Sequence, residues 1–480
     1  MTFLCALEAV NLNNLFGDCE DLSTTRGGGL AVLQIGREVA VRLGAKAVSS
    51  GSSQGLLLIE GETAQEVEDR VKEALGDLGS QDHAVVLSHA TVIVKACQYH
   101  ERLFAQEQAE LKAAIRWSQM RSPTVVYPKL YDTQVCDIDK VRPAVRRQDL
   151  VHKQNQSDFT HSRRNYGREQ KKALIRTVLG AAAPPTFDVV SEFTEMTSDD
   201  GGRHGNLRDK LAVLRFDGND FGEVGHQCNT PALMNIFAKT TQEQQEGFFR
   251  ALVSANPEGW WTAGPVPKVR LEIVVYGGDE VTFVTPAWLG WKALRVFYEQ
   301  AESWPPFESD KESRRLTYSG GVVFCHRNAP IHVIRQLASD LADTAKDRAK
   351  AERKAKGNFA VYQALESFDA IGEDLNDFIN RRYQFNGGRG VYLGLEEIRL
   401  LDDTMDYWRA TLSRRKLRDL VQGLQTGEDV EVEKRIPKLV EFKSPDSESA
   451  VQSVKELHAR MGDAALLHIL ELWDYAGVQQ

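Results

Sequence analysis

Apolar and polar positions keep different periods in different stretches of the chain, and the changes of period divide it into four. In residues 1–120, apolar runs at 3–10 and 84–94 predict strands, and apolar positions at helical spacing over 30–43 and 64–78 predict helices. Residues 121–205 hold no clear period. They contain Pro123, Pro128, Pro143, Pro184 and Pro185, end in Ser198-Asp199-Asp200-Gly201-Gly202, and read as an irregular linker. Residues 206–368 alternate strand and helix patterns. Residues 369–480 read as a helical domain, with long segments near 395–425 and 448–475.

The third stretch is the most regular. A compact strand at 211–216 ends at Asp217, and a helix follows over 231–253. Two β-rich runs, 269–276 and 280–285, meet through Gly277-Gly278, a tight hairpin signal because such a turn needs positive φ. A helix over 287–302, a strand over 316–325 and a long helix over 331–354 complete it, the last with Ile334, Leu337, Ala338, Leu341 and Ala345 on one face. Strand-helix-strand-strand-helix-strand is the ferredoxin-like plan, so the fold class is α+β. Residues 1–120 carry a weaker echo of it.

Charge and cysteine content narrow the function classes. The 480 residues carry a formal net charge of -9, so general attraction to nucleic acid is not expected. Residues 140–176 are the exception, with a local excess of basic residues. They read as a solvated linker in preference to a phosphate-binding track for RNA or a ligand. The six cysteines stand at 5, 19, 97, 136, 228 and 325, with no Cys-x-x-Cys pair, as expected of reduced intracellular thiols. The N-terminus lacks a basic leader and no run is long enough to span a bilayer, which predicts a cytoplasmic protein with no membrane partner.

Two acidic motifs carry the candidate chemistry. Asp217-Gly218-Asn219-Asp220-Phe221-Gly222 leaves a strand, and Gly277-Gly278-Asp279-Glu280 caps a hairpin. Either alone is good turn chemistry. In the ferredoxin-like order, though, the first strand and the central hairpin are neighbours, which sets Asp217 against Asp279. Carboxylates that close repel unless a cation lies between them. Oxygen ligands favour Mg²⁺ or Mn²⁺, and two such ions ~3.5–4 Å apart clamp both oxygens of an in-line displacement. Downstream, Lys346, Lys350 and Arg353 or Lys354 share a helix face. Lys346 reads equally as a triphosphate ligand or as a basic residue near a helix end; for the distal residues the helix end is the better reading.

These residues resemble the palm polymerase/cyclase domain of the large subunit of type III CRISPR effector complexes, and the related minimal CRISPR polymerases. The family's strand ending Asp-x-Asp-Asn-apolar-Gly is matched by 217–222, its Gly-Gly-Asp-Asp hairpin by 277–280, its Ser-x-Gly strand by Ser319-Gly320-Gly321, and its Ala-Lys helix by Ala345-Lys346. Leu22-Ser23-Thr24-Thr25-Arg26-Gly27-Gly28-Gly29 resembles the first, non-catalytic palm, or is simply a flexible turn. The resemblance implies a catalytic palm over 206–368, a degenerate palm over 1–120 and a helical tail over 369–480. It implies nucleotidyl transfer from NTP, ATP by preference, to a cyclic oligonucleotide messenger in antiviral defence. Asp217, Asp279 and the Gly218 carbonyl would bind two metal ions, with Glu280 assisting. Gly277, Gly278, Ser319 and Lys346 would hold the nucleotide. RNA, effector subunits or a second copy of the chain are the implied partners.

The departures from the family matter. Asn219 and Asp220 are exchanged, which supports the alternative of a catalytically inactive palm scaffold that binds nucleic acid or a protein partner. A cyclase unrelated to CRISPR defence is a third reading. Cys136-Asp137-Ile138-Asp139 looks like the family's zinc element with its second cysteine replaced, so no zinc is expected; His152 and His161 read as surface residues. No His-Asp dipeptide occurs, so no nuclease domain of that type is expected.

Overall fold

Two sheets of one design sit side by side in the computed structural model. It describes residues 1–480 apart from 13–14, 16, 20, 34, 52, 80, 122–133, 146–153, 199–201, 256, 352–356, 366–373, 429–430, 441–446 and 478–480. The chain opens with β1 (Thr2–Val10), α1 (Leu22–Leu33), α2 (Ile35–Leu43), β2 (Lys46–Ser50), β3 (Gln54–Glu60), α3 (Ala64–Gly76), α4 (Gln81–Ser88) and β4 (Thr91–Gln98). These strands pair antiparallel in the order β2-β3-β1-β4, the ferredoxin-like arrangement. Next come α5 (Phe104–Arg121), α6 (Asp158–Leu179), β5 (Asp188–Val189) and α7 (Phe193–Met196).

The second unit repeats the plan with β6 (Lys210–Gly218), α8 (Phe221–His226), α9 (Pro231–Ala255), α10 (Pro257–Trp260), β7 (Lys268–Val269), β8 (Glu272–Gly277), β9 (Glu280–Pro286), α11 (Ala287–Ser303), β10 (Phe307–Glu308), β11 (Ser313–Arg314) and β12 (Tyr318–His326). Then α12 (Ile331–Ala351) leads into β13 (Phe359–Ala364), which adds a parallel strand beside β12 and makes the order β13-β12-β6-β9-β8. Alternation along these strands sends side chains to two covered faces. Toward α9 and α11, Phe216 stacks on Phe297 at 3.7 Å between ring centroids, beside Phe248 and Phe283. On the other face α12 lies so close to β12 that a Cβ on Gly321 would stand 2.0 Å from the Ala338 carbonyl oxygen.

Six further helices end the described chain: α13 (Leu375–Arg382), α14 (Leu395–Thr411), α15 (Arg414–Gln425), α16 (Val432–Arg435), α17 (Ser447–Met461) and α18 (Ala464–Glu471). Trp408 is buried among them, its indole N–H donating to Ser453 Oγ at 2.8 Å. No helix among the described residues is long and apolar enough to cross a membrane.

Three local expectations need correction. The run 84–94 is not one strand: α4 continues to Ser88 before β4 begins at Thr91. The β-branched Val85 and Val86 favour a strand, but His83 stacks on Tyr166 of α6 at 4.7 Å and tertiary packing holds the helix. Residues 121–205 are not an irregular linker throughout, because α6 runs 22 residues from a Ser157 N-cap. Nor are all of its basic residues solvated, although Lys140, Arg168, Lys172 and Arg176 are exposed. Arg163 is fully buried against Asp18, and Arg164 and Lys171 are buried too. Gly27-Gly28-Gly29 is not a flexible turn, because these glycines lie inside α1. A Cβ on Gly27 would stand 1.8 Å from the Arg163 carbonyl oxygen, so the α1–α6 crossing is backbone against backbone.

The Cys136–Asp139 element folds as a turn knotted by its carboxylate. Asp139 accepts from Thr160 Oγ1 at 2.6 Å and from the backbone N–H groups of Val141 and Arg142 at 3.0 and 2.9 Å. His161 is bonded to Gln156 and Asn165. His152, Arg353 and Lys354 lie outside the described residues.

Candidate active site

The acidic motifs meet where β6 ends. Asp217 stands opposite Glu280 on β9 and opposite Ser319 on β12. The Gly218 N–H donates to the Asp279 carbonyl at 2.9 Å, which seats the hairpin tip on the strand end. The hairpin turns through Gly277 at φ 116 and Gly278 at φ 63, a region an L side chain enters only with strain. Gln245 of α9 steadies it by donating to the Gly278 carbonyl at 2.9 Å.

Four polar side chains of the two motifs, Asp217, Asn219, Asp220 and Glu280, have partners. The Lys346 ammonium reaches across from α12 and ion-pairs with Asp217. Glu280 pairs with Arg215 at 2.9 Å. Asp220 sits at φ 59 as the N-cap of α8 and pairs with Arg314, away from Asp217. Ser319 donates to Asn219 Oδ1 at 2.7 Å, and Asn219 donates onward to Thr317 at 3.1 Å. The exchange of Asn219 and Asp220 thus has a structural meaning: the amide faces inward and braces the strand, while the acid is turned to an arginine. Lys350 is exposed and lies 3.8 Å from Asp347.

Asp279 is the most perturbed of these acids. Burial, then the charges of Asp217 and Glu280, push its carboxyl up from 3.8 to about 6, against a smaller opposing pull from Lys346. Asp343, one turn before Lys346 on α12, is likewise raised, by burial and by Asp217. Negative charge is therefore crowded here beyond what Lys346 neutralises. Among the described residues no group of three or more His, Cys, Asp or Glu forms a metal cluster. The crowded pair Asp217 and Asp279 is nonetheless a hard-oxygen donor set with unrelieved charge, and it fits Mg²⁺ or Mn²⁺.

A cavity of about 470 Å³ opens beside the hairpin, between the two units. Gly278 and Asp279 line it with Gln242 of α9, Gln170 of α6, Ser50 from the β2–β3 turn, and Arg37. Its volume suits a small ligand. Arg215, Asp343 and the cavity wall were not picked out from sequence. For Asp343 a signal existed, its i−3 spacing from Lys346. For the wall none did, because part of it comes from the other unit.

Comparison with known proteins places a family on the second unit and finds the same fold in solved structures. Residues 210–355 match the family model described as Cas10/Cmr2, second palm domain, so the resemblance to the large-subunit palm family holds over that segment. Among solved structures, the chain is similar to a Csm1-Csm4 cassette in complex with pppApApA, at 12% identity and TM-score 0.54, covering 98% of this chain and 69% of that one. A Csm1-Csm4 cassette in complex with one ATP matches at 13% identity and TM-score 0.54, covering 98% and 70%. The Csm1-Csm4 subcomplex of a type III-A CRISPR-Csm interference complex matches at 12% and 0.52, with the same coverage. No curated protein sequence matches the chain.

Proposed function

We propose, taking the second palm domain of this family as the premise, that the chain is a nucleotidyltransferase that builds a cyclic oligonucleotide from ATP in CRISPR-type defence. The observation that carries the proposal is the meeting of Asp217, Asp279 and Lys346 at one sheet end, beside a cavity large enough for nucleotide. Relatives of the same fold bind ATP and a linear triphosphorylated adenylate, which supports the choice of base.

Asp217 and Asp279, with the Gly218 carbonyl, would hold Mg²⁺ or Mn²⁺; bound there, the metal neutralises phosphate charge and favours an ionised attacking hydroxyl. The chain's own residues position the rest. Gly277 and Gly278 let the hairpin backbone approach the phosphates, and Lys346 moves from Asp217 to the triphosphate. Ser319 fixes the strand through Asn219, and Glu280, released from Arg215, lies where the hydroxyl proton departs. A ribose hydroxyl oxygen bonds to the α-phosphorus, the bond from that phosphorus to the bridging oxygen breaks, and pyrophosphate leaves.

The first unit fits the role of a degenerate palm. Its sheet has the same strand order, yet its hairpin reads Ser50-Gly51-Ser52-Ser53, without an acid, and the acid near the end of β1, Glu8, pairs with Arg116 at 2.7 Å. RNA, other effector subunits or a second copy are the partners this role calls for.

A second reading, an inactive palm scaffold, has one specific observation in its favour: Asp217, Asp220 and Glu280 each already hold a cationic side chain. Incubation with labelled ATP and Mn²⁺, followed by mass spectrometry of products, separates the two. Pyrophosphate release and a cyclic adenylate absent from Asp279→Asn are expected. No product with any activating RNA or partner subunit would leave the scaffold.

A further inference from the structure

Behind the hairpin tip lies a pair of buried polar side chains that the chemistry above does not use. Tyr318, the first residue of β12, stands opposite Gly218 of β6. Its ring is closed in by Phe221, Phe297 and Trp304, with centroids at 5.1, 5.1 and 5.9 Å. The side chain is fully buried, and its hydroxyl has no hydrogen-bond partner among the described residues. Gln245, in the middle of α9, is fully buried as well. Its amide N–H donates to the Gly278 carbonyl at 2.9 Å, while its Oε1 has no hydrogen-bond partner among the described residues either.

Buried polar atoms are hydrogen-bonded as a rule, and each exception costs stability. Here the two exceptions are neighbours and complementary, a hydroxyl able to donate and an amide oxygen that accepts. Burial raises the Tyr318 hydroxyl above its ordinary range; Asp279 adds to the rise, Gln245 opposes it and Asp217 adds again, so all three lie close to it. Phenylalanine would fill the same space without the unmet hydroxyl. The three rings around Tyr318 fix its position, so Gln245 and the tip it holds are the parts free to shift. A small movement of Gln245 closes the bond and draws Gly278, and with it Asp279, along.

We propose that Tyr318 and Gln245 are positioning residues for Asp279: the Tyr318 hydroxyl donates to Gln245 Oε1, and Gln245 holds the Gly278 carbonyl, so that Asp279 is set against Asp217. This rests on the reading of Asp279 as a metal ligand. The unjoined pair is then the open form of a latch, and the cost of its two unmet groups is recovered when the tip is seated.

Hydrogen exchange at the amides of residues 277–280 and titration calorimetry with Mn²⁺ test the latch in Tyr318→Phe, in Gln245→Met and in the double variant. Tyr318→Phe is expected to keep or raise the thermal midpoint, since no described partner is lost. It is nonetheless expected to speed exchange at the tip and to weaken Mn²⁺ binding, each about fivefold, the worth of one net hydrogen bond. Gln245→Met is expected to lose more, because the bond to Gly278 goes too, and in its background Tyr318→Phe is expected to cost nothing further. In ATP turnover kcat is expected to fall in both single variants while KM stays, because neither side chain touches substrate. A lower midpoint in Tyr318→Phe, tip exchange like that of the wild type, or losses that add in the double variant overturns the proposal. The exchange readout needs neither metal nor turnover. A wild type that makes no product ends the enzyme reading, whereas the latch stands or falls on the tip amides.

Discussion

Replacing Asp279 by asparagine should make the protein more stable at pH 8 and leave it no more stable near pH 4. The side chains are nearly isosteric, so the change removes charge without a cavity. Burial and the carboxylates of Asp217 and Glu280 raise Asp279 from 3.8 to about 6 in the folded chain. At 1.36 kcal/mol per pH unit that rise is worth about 3 kcal/mol. Its sign follows from linkage: the folded state holds the Asp279 proton more tightly than the unfolded state. The associated stability is present in full below 3.8 and is lost as pH rises through about 6. Above pH 7 the wild type therefore carries a penalty of about 3 kcal/mol that Asp279→Asn escapes. Urea unfolding of both proteins across pH 4–8, monitored by tryptophan fluorescence, measures the difference. Added Mn²⁺ should recover most of the loss in the wild type and little in the variant; at a hundred times Kd the gain is about 2.7 kcal/mol. A difference between the two proteins that is the same at pH 4.5 and pH 8 would refute the claim that like charges crowd this hairpin.

Three other substitutions probe separate parts of the molecule. Lys346→Ala should lower kcat/KM for ATP by about a hundredfold or more, a loss typical of a removed transition-state charge partner; it should also move the acid limb of the pH–rate profile to higher pH, since Lys346 pulls Asp279 down. Gly167→Ala puts a Cβ 2.0 Å from the Ser23 carbonyl oxygen and should cost about 1–3 kcal/mol by forcing α1 from α6, seen as a lower thermal midpoint. Asp139→Ala leaves Thr160 and two backbone N–H groups without their acceptor and should cost at least about 2 kcal/mol, again by thermal unfolding.

What could be read from sequence was whatever is written locally. The hairpin shows itself through two glycines between alternating runs, and Asp217 through its place at the end of a compact apolar strand. Helix α6 does not, because much of its buried face is Ser162, Arg163, Arg164, Gly167 and Lys171 rather than leucine and valine. Arg163, Arg164 and Lys171 pair with Asp18, Asp21 and Glu272, which are remote in sequence, so no window along the chain reports them as interior. The parallel strand β13 escaped notice for a related reason, since it is short and its partner β12 lies across the whole of α12. The same holds within the site. Arg215 and Arg314 decide which acids stay available, and only the folded sheet shows the pairings.

The β2–β3 turn comes from the unit without the two acidic motifs, yet a Cβ built on its Gly51 would lie 4.0 Å from the Cα of Gly278, and Asn235 of α9 grips the β2 carbonyls of Ala47 and Val48 at 3.2 and 3.1 Å. An excised fragment starting near residue 206 would keep both acidic motifs and still be half a vessel, the cavity beside its hairpin open to bulk water on one flank. The unit without these motifs is thus no spare part: it walls the same hollow that Gly278 and Asp279 line from the other side.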